Sequence, residues 1–150
     1  KIFIYLPWHD VHSPLQAPER FQYPAHFNDS YAPRLMLNAM ANAMDEGMRN
    51  VTNAITAAGL WNECLMVFSA DNGGWLHTWG SSNYPLRGGK VTDFEGGVRA
   101  VSFMAGGYVP EHLRGSRFEG LISVADWCKK SMLPLHAVLT KRSNIDCLVH

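Results

Sequence analysis

Two adjacent side chains in this sequence are of the types that bind a hard divalent cation. Asp71 and Asn72 stand directly before Gly73 and Gly74. A carboxylate beside an amide oxygen offers two ligands that suit Ca²⁺ or Mg²⁺, and the glycines let the backbone approach a ligand closely. The same tetrapeptide is also typical of a tight turn, because Asp, Asn and Gly are favoured in turns on conformational grounds alone.

Cationic side chains elsewhere in the sequence could bind a tetrahedral anion. Lys90 ends the run Arg87-Gly88-Gly89-Lys90, in which an ammonium group and backbone N–H groups could converge on a sulfate or phosphate. His12 could bind an oxyanion when protonated or give a proton to a leaving group. For each residue taken singly, a solvated basic loop or a surface histidine is the more common interpretation.

The elements that must position these residues predict an α/β fold. Residues 1–6 and 65–70 are short apolar runs typical of buried strands, and apolar residues at helical spacing over 35–58 predict an amphipathic helix that ends at Gly59. A helix between two strands predicts a βαβ unit with parallel pairing and a right-handed crossover. Parallel strands would place the loops that follow them, and so His12 and Asp71, at one edge of the sheet.

Further segments complete this prediction. Residues 7–33 and 71–89 are rich in proline or glycine and predict long loops, which often carry function. Residues 99–105 are a third strand candidate, and residues 124–130 are a candidate for a short helix.

Composition limits the classes of function. The 150 residues are 47% hydrophobic, enough to bury a globular core. The chain has 13 basic residues, counting Lys and Arg, and 13 acidic residues, counting Asp and Glu. With no net charge, no long-range field attracts nucleic acid or an anionic membrane. No apolar run approaches the roughly 18 to 20 residues that span a bilayer, so we expect no membrane span.

Cysteines and sequons say little about the compartment. The three cysteines, Cys64, Cys128 and Cys147, are an odd number and leave disulfide pairing open. Asn28 and Asn50 begin N-glycosylation sequons and are candidate acceptors, although such short patterns often arise by chance.

Taken together and in order, the motifs resemble those of the sulfatase family, most closely arylsulfatase B and its relatives. The resemblance runs from about residue 2 to residue 127. It includes His12 in VHSPLQ, the DNGG tetrapeptide at 71–74, and the segments NYPLRGGK at 83–90 and EGGVR at 95–99. It implies part of an alkaline-phosphatase-like sandwich with a mostly parallel sheet and flanking helices.

The resemblance also implies a function for the matching residues. Asp71 and Asn72 are expected to be ligands of one Ca²⁺, Lys90 to touch a sulfate oxygen, and His12 to face the sulfate and the leaving oxygen. Such an enzyme hydrolyses sulfate monoesters of sugars or aryl alcohols, and its cations neutralise charge on the transferred group. The implied localisation is secreted, or in the lysosomal or endomembrane lumen. The particular substrate and the oligomeric state stay open.

The family's nucleophile is expected outside this chain. It is a formylglycine made from a cysteine in a Cys-x-Pro-x-Arg motif, and none of the three cysteines lies in such a motif. We therefore expect the formylglycine and the remaining Ca²⁺ ligands upstream of Lys1. On this interpretation residues 1–127 are the middle part of a catalytic domain, inactive when isolated, and residues 128–150 are a divergent tail without family support.

Two alternatives remain beside the sulfatase interpretation. One is a phosphatase or phosphodiesterase of the wider alkaline-phosphatase-like group, which shares the sheet and the position of the metal site. The other is a non-catalytic remnant that binds an anion or a glycan. The identity of the nucleophile in the complete gene would separate the three.

Overall fold

The computed structural model describes residues 2–22, 31–77 and 80–124. These residues contain two helices and two strands: α1 (Ala32–Ala57), β1 (Met66–Ser69), α2 (Glu95–Val98) and β2 (Ser102–Ala105). Short 3-10 turns lie at Glu19–Phe21, Trp61–Glu63 and Glu111–Leu113. Helices and strands alternate along the chain, as the α/β prediction requires.

Helix α1 confirms the helix predicted over residues 35–58. It begins three residues earlier than predicted, with Pro33 in its first turn, where the missing N–H of proline costs no hydrogen bond. It ends where Gly59 adopts a φ of 71°. There the N–H groups of Gly59 and Leu60 donate to the carbonyl oxygens of Thr56 and Ile55, at 2.9 and 3.1 Å. This pair of hydrogen bonds is a Schellman ending, which glycine accommodates without a steric penalty.

The segment before α1 contacts the helix at two described places, and two residues of the helix are fully buried. Ala39 and Met40 are fully buried within α1. The Trp8 ring lies so close to Gly47 that a Cβ there would stand 2.7 Å from the ring. Arg20 donates to the Glu46 carboxylate at 2.8 Å, which ties the first 3-10 turn to the helix. The long loop predicted before α1 therefore packs against the helix where it is described.

Strands β1 and β2 form a two-stranded antiparallel sheet. The Ala70 N–H donates to the Val101 oxygen at 2.9 Å just beyond the strand ends, and the rings of Phe68 and Phe103 stack at 5.0 Å. β1 and β2 confirm the strands predicted near 65–70 and 99–105, each shortened to four residues. The parallel sheet expected from the sequence is not seen among the described residues.

The predicted first strand differs from the structure. Residues 2–6 form no strand, and their apolar side chains are exposed, Phe3 by 85% and Ile2 by 75%. A β-strand needs a neighbour to pair its backbone groups, and in the described part of the chain β1 pairs with β2 instead. The apolar composition of residues 2–6 therefore does not produce a βαβ unit within the described residues.

The chain divides into two compact units. One comprises residues 1–61 and 67–103, and the other residues 62–66 and 104–150. In the second unit, the Tyr108 N–H donates to the Cys64 oxygen at 3.1 Å, and Val109 is 8% exposed. The helix predicted over 124–130 and the tail at 128–150 lie outside the described residues, apart from Val124.

No helix in the described ranges combines the length and the apolar character that crossing a bilayer requires.

Candidate active site

All four predicted site residues lie in the first unit, and glycines pack together the loops of three of them, Asp71, Asn72 and Lys90. We call residues 71–74 the acid–amide loop and residues 85–90 the lysine loop. The Gly73 N–H donates to the Gly97 oxygen at 2.8 Å, and the Gly96 N–H donates to the Arg87 oxygen at 2.7 Å. Helix α2 thus bonds through its glycines to both loops.

Side chains cannot fit between these backbones. A Cβ added at Gly96 would lie 2.1 Å from the Gly88 oxygen, and one added at Gly73 would lie 1.7 Å from the Gly96 oxygen. Because these obstacles are backbone atoms, no rotamer change relieves them. The glycines of the three motifs therefore allow the backbones of the loops to come into contact.

Asn83 joins the two loops through its side-chain amide. Its Oδ1 accepts the Gly74 N–H at 2.8 Å, and its Nδ2 donates to the Gly74 oxygen at 2.9 Å and to the Gly88 oxygen at 3.1 Å. The Lys90 N–H donates to that same Gly74 oxygen at 3.1 Å. The backbone of Lys90 is thereby attached directly to the acid–amide loop.

Lys90 and His12 meet although 78 residues separate them. The Lys90 Nζ lies 3.4 Å from the His12 Nε2, with Lys90 half-buried and His12 exposed. The structure therefore brings together the two side chains predicted to contact the anion.

The two ring nitrogens of His12 have different neighbours. The Nδ1 lies 3.0 Å from the Ser13 carbonyl oxygen and 3.4 Å from the Ser13 hydroxyl oxygen. The Nε2 faces the Lys90 ammonium instead. An oxyanion at this contact would accept a hydrogen bond from Lys90. The pair is thus suited to a sulfate or phosphate oxygen.

The acid–amide pair offers hard oxygen ligands. The Asn72 Nδ2 donates to the Gly73 oxygen at 2.8 Å, which leaves the Asn72 Oδ1 available to a cation. Asp71 is exposed, and no hydrogen bond or ion pair within the described ranges engages its carboxylate. The Asn72 Oδ1 and the Asp71 carboxylate are therefore both accessible to an ion.

These two residues fit Ca²⁺ as part of a site. Ca²⁺ takes roughly six to eight oxygen ligands, and a carboxylate with an amide oxygen is the appropriate chemistry. Among the residues that the structure describes, no group of three or more His, Cys, Asp or Glu side chains could hold a metal. Asp71 and Asn72 would thus be two ligands of a larger set.

Three other charged residues of the motifs make contacts within the loops. The Arg87 guanidinium lies over the Phe94 ring, 4.0 Å from its centroid, and Arg99 pairs with Glu95 at 3.5 Å on the surface. Each of these three side chains therefore has a partner within the described part of the chain.

A surface concavity of about 260 Å³ opens beside the acid–amide loop. Asn72, Asn83, Tyr84 and Arg99 are among the residues that line it. His12 and Lys90 do not line it, so the four predicted residues do not share this concavity. The structure links the two pairs through the Lys90 backbone instead.

Sequence reasoning missed the role of Asn83. Asn83 appeared only as a residue of the lysine motif, because nothing in its type or spacing shows that both ends of its amide are used. Of the candidate glycosylation acceptors, Asn50 is exposed on α1, and Asn28 lies outside the described residues. Glycosylation at either stays a prediction.

Comparison with known proteins identifies the class. The Sulfatase family model matches residues 1–132. This chain therefore belongs to the sulfatase family, as its motifs indicated.

Individual relatives agree with this assignment. The chain is 39% identical over 128 residues to arylsulfatase J of Mus musculus, covering 84% of this chain and 20% of the relative. It resembles the crystal structure of Ps i-CgsB with a TM-score of 0.71 at 31% identity, covering 79% of this chain and 26% of the other. For Ps i-CgsB in complex with k-i-k-neocarrahexaose the TM-score is 0.67 at 31% identity, and the shares are 79% and 25%. The chain thus spans about a fifth to a quarter of the relatives' length.

Proposed function

We propose that this chain supplies part of a Ca²⁺-dependent active site that hydrolyses sulfate monoesters of sugars or aryl alcohols. The observation that carries the proposal is the 3.4 Å approach of the Lys90 Nζ to the His12 Nε2, with the Lys90 backbone bonded to the acid–amide loop at Gly74. Family membership and the 39% identity to an arylsulfatase support the sulfate ester as the bond broken.

The residues of this chain would stabilise charge and transfer a proton. Hydrolysis of a sulfate monoester breaks a bond between sulfur and the ester oxygen, and negative charge develops on the leaving oxygen. The Lys90 ammonium would bind a sulfate oxygen, and a protonated His12 would give its Nε2 proton to the leaving oxygen. Asp71 and Asn72 would hold Ca²⁺, which when bound neutralises charge on the sulfate group.

A sulfated carbohydrate is the first substrate class to examine. One structural relative was crystallised in complex with a neocarrahexaose, and the sequence relative is named an arylsulfatase. A sulfated sugar and an aryl sulfate present the same sulfate group to the Lys90–His12 pair. The proposal for this chain therefore concerns the sulfate group, and either kind of alcohol could carry it.

The test is sulfate release by protein expressed from the complete open reading frame. We expect release from an aryl sulfate or a sulfated oligosaccharide, loss of release in a chelator, and recovery when Ca²⁺ is restored. The matching phosphate monoester is the control substrate. Preferential hydrolysis of the phosphate ester would favour the phosphatase alternative, and binding without turnover would favour the non-catalytic remnant. Either result would overturn the proposal.

A further inference from the structure

We propose that Asn83 is a positioning residue for Lys90, holding the lysine loop against the acid–amide loop so that the ammonium group reaches the sulfate. This inference rests on the proposed function and deepens it. Asn83 itself is not proposed to touch Ca²⁺ or the substrate.

Two of the three hydrogen bonds of the Asn83 amide are to the backbone of one residue, Gly74. Gly74 gives its N–H to the Asn83 Oδ1 and receives bonds at its oxygen from the Asn83 Nδ2 and from the Lys90 N–H, at 2.9 and 3.1 Å. The second Nδ2 bond, to the Gly88 oxygen at 3.1 Å, lies two residues before Lys90. The Asn83 side chain is therefore bonded both to Gly74, whose oxygen accepts the Lys90 N–H, and to Gly88 in the lysine loop.

Only a side-chain amide satisfies all these partners. The Gly74 N–H requires an acceptor, whereas the Gly74 and Gly88 carbonyl oxygens require donors, so the orientation of the amide is determined by its neighbours. An aspartate has nearly the same shape but would direct an oxygen at two carbonyl oxygens. Asn83→Asp therefore turns two attractions into repulsions with little change in volume.

The catalytic test compares Asn83→Asp with a matched control in the complete enzyme. We expect kcat/KM for sulfate release to fall roughly 10- to 100-fold, the usual effect of losing a group that orients a functional residue. Asn53→Asp makes the same chemical change on the exposed face of α1 and should leave kcat/KM unchanged. An unchanged kcat/KM in Asn83→Asp would overturn the inference.

A double-mutant cycle separates positioning from a general loss of structure. If Asn83 acts through Lys90, then adding Asn83→Asp to Lys90→Ala should lower kcat/KM further by no more than about 2-fold, the error of additivity. A full additional decrease in the double variant would show that Asn83 acts elsewhere, and would contradict the proposal.

Hydrogen exchange tests the same inference without any activity. In the complete protein, Asn83→Asp should speed exchange of the Gly74 and Lys90 amides by roughly 10-fold or more, because their bonds lose support. Asn53→Asp should not change these rates. Equal protection in both variants would overturn the positioning role of Asn83. If the wild-type enzyme released no sulfate, the proposed function would fail, and exchange would still decide the role of Asn83.

Discussion

At the scale of single residues, the proposed anion site rests on the contact between a lysine and a histidine. The Lys90 Nζ and the His12 Nε2 lie 3.4 Å apart. A sulfate oxygen at this contact would accept a hydrogen bond from the Lys90 ammonium. The same oxyanion would lie within reach of the His12 ring.

Lys90→Ala should lower kcat/KM for sulfate release by roughly 100- to 1000-fold, the usual effect of removing one donor to a developing oxyanion. The measurement is steady-state kinetics on protein from the complete open reading frame. Arg49→Ala is the control, since it removes a cation whose ion pair with Asp45 is an exposed contact at 3.5 Å. An unchanged rate in Lys90→Ala would count against contact between Lys90 and the sulfate.

Residue types could be predicted for the site, but their connections could not. The sequence identifies an acid–amide pair, a lysine and a histidine, because each type has a chemistry of its own. Hydrogen bonds to the Gly74 oxygen attach both the Lys90 backbone and the Asn83 side chain, and they join residues up to 16 positions apart. Such bonds depend on the path of the backbone, which residue type does not determine.

At the scale of elements, helix α2 packs against the two site loops through backbone atoms. Gly96 and Gly97 are buried, and their lack of side chains lets α2 lie directly against the acid–amide and lysine loops. The close packing of interiors makes such a contact intolerant of added atoms. Glycine at these positions therefore sets the distance between the loops that carry Asp71 and Lys90.

Gly96→Ala should destabilise the chain by about 3 kcal/mol, at the upper end of the usual cost of overpacking, because the added Cβ meets a backbone oxygen. Urea unfolding gives the free energy. Gly59→Ala is the comparison, since a Cβ there meets nothing within 4 Å and only the positive φ is strained, at a cost of about 1 kcal/mol. Equal losses of unfolding free energy in Gly96→Ala and Gly59→Ala would show that Gly96 is not in close contact with the lysine loop.

Local sequence signals predict the elements unevenly. Helix α1 was predictable because a 3.6-residue pattern and a C-terminal glycine are both local. Residues 2–6 look like a strand by composition, yet pairing is not a local property, and among the described residues they have no strand beside them. The partner of β1 is likewise not determined by local sequence. β1 pairs antiparallel with β2, whereas the sequence predicted parallel pairing with residues 1–6.

At the scale of the whole molecule, the chain spans a fraction of the length of its relatives. It covers 20% of arylsulfatase J, and within the described ranges no group of three or more His, Cys, Asp or Glu side chains could hold a metal ion. The exposed apolar side chains of residues 2–6 are of the kind that a larger sheet would cover. Function is therefore expected from the protein of the complete open reading frame.

The most direct test of a single Ca²⁺ and sulfate site is the metal-dependent sulfate release of Asp71→Ala in that complete protein. Asp71→Ala removes the one carboxylate of the acid–amide pair and should abolish Ca²⁺-dependent turnover. Asp45→Ala, which removes an exposed carboxylate on α1, should leave it intact. Near-normal, Ca²⁺-dependent release by Asp71→Ala would remove Asp71 from the site and contradict the account.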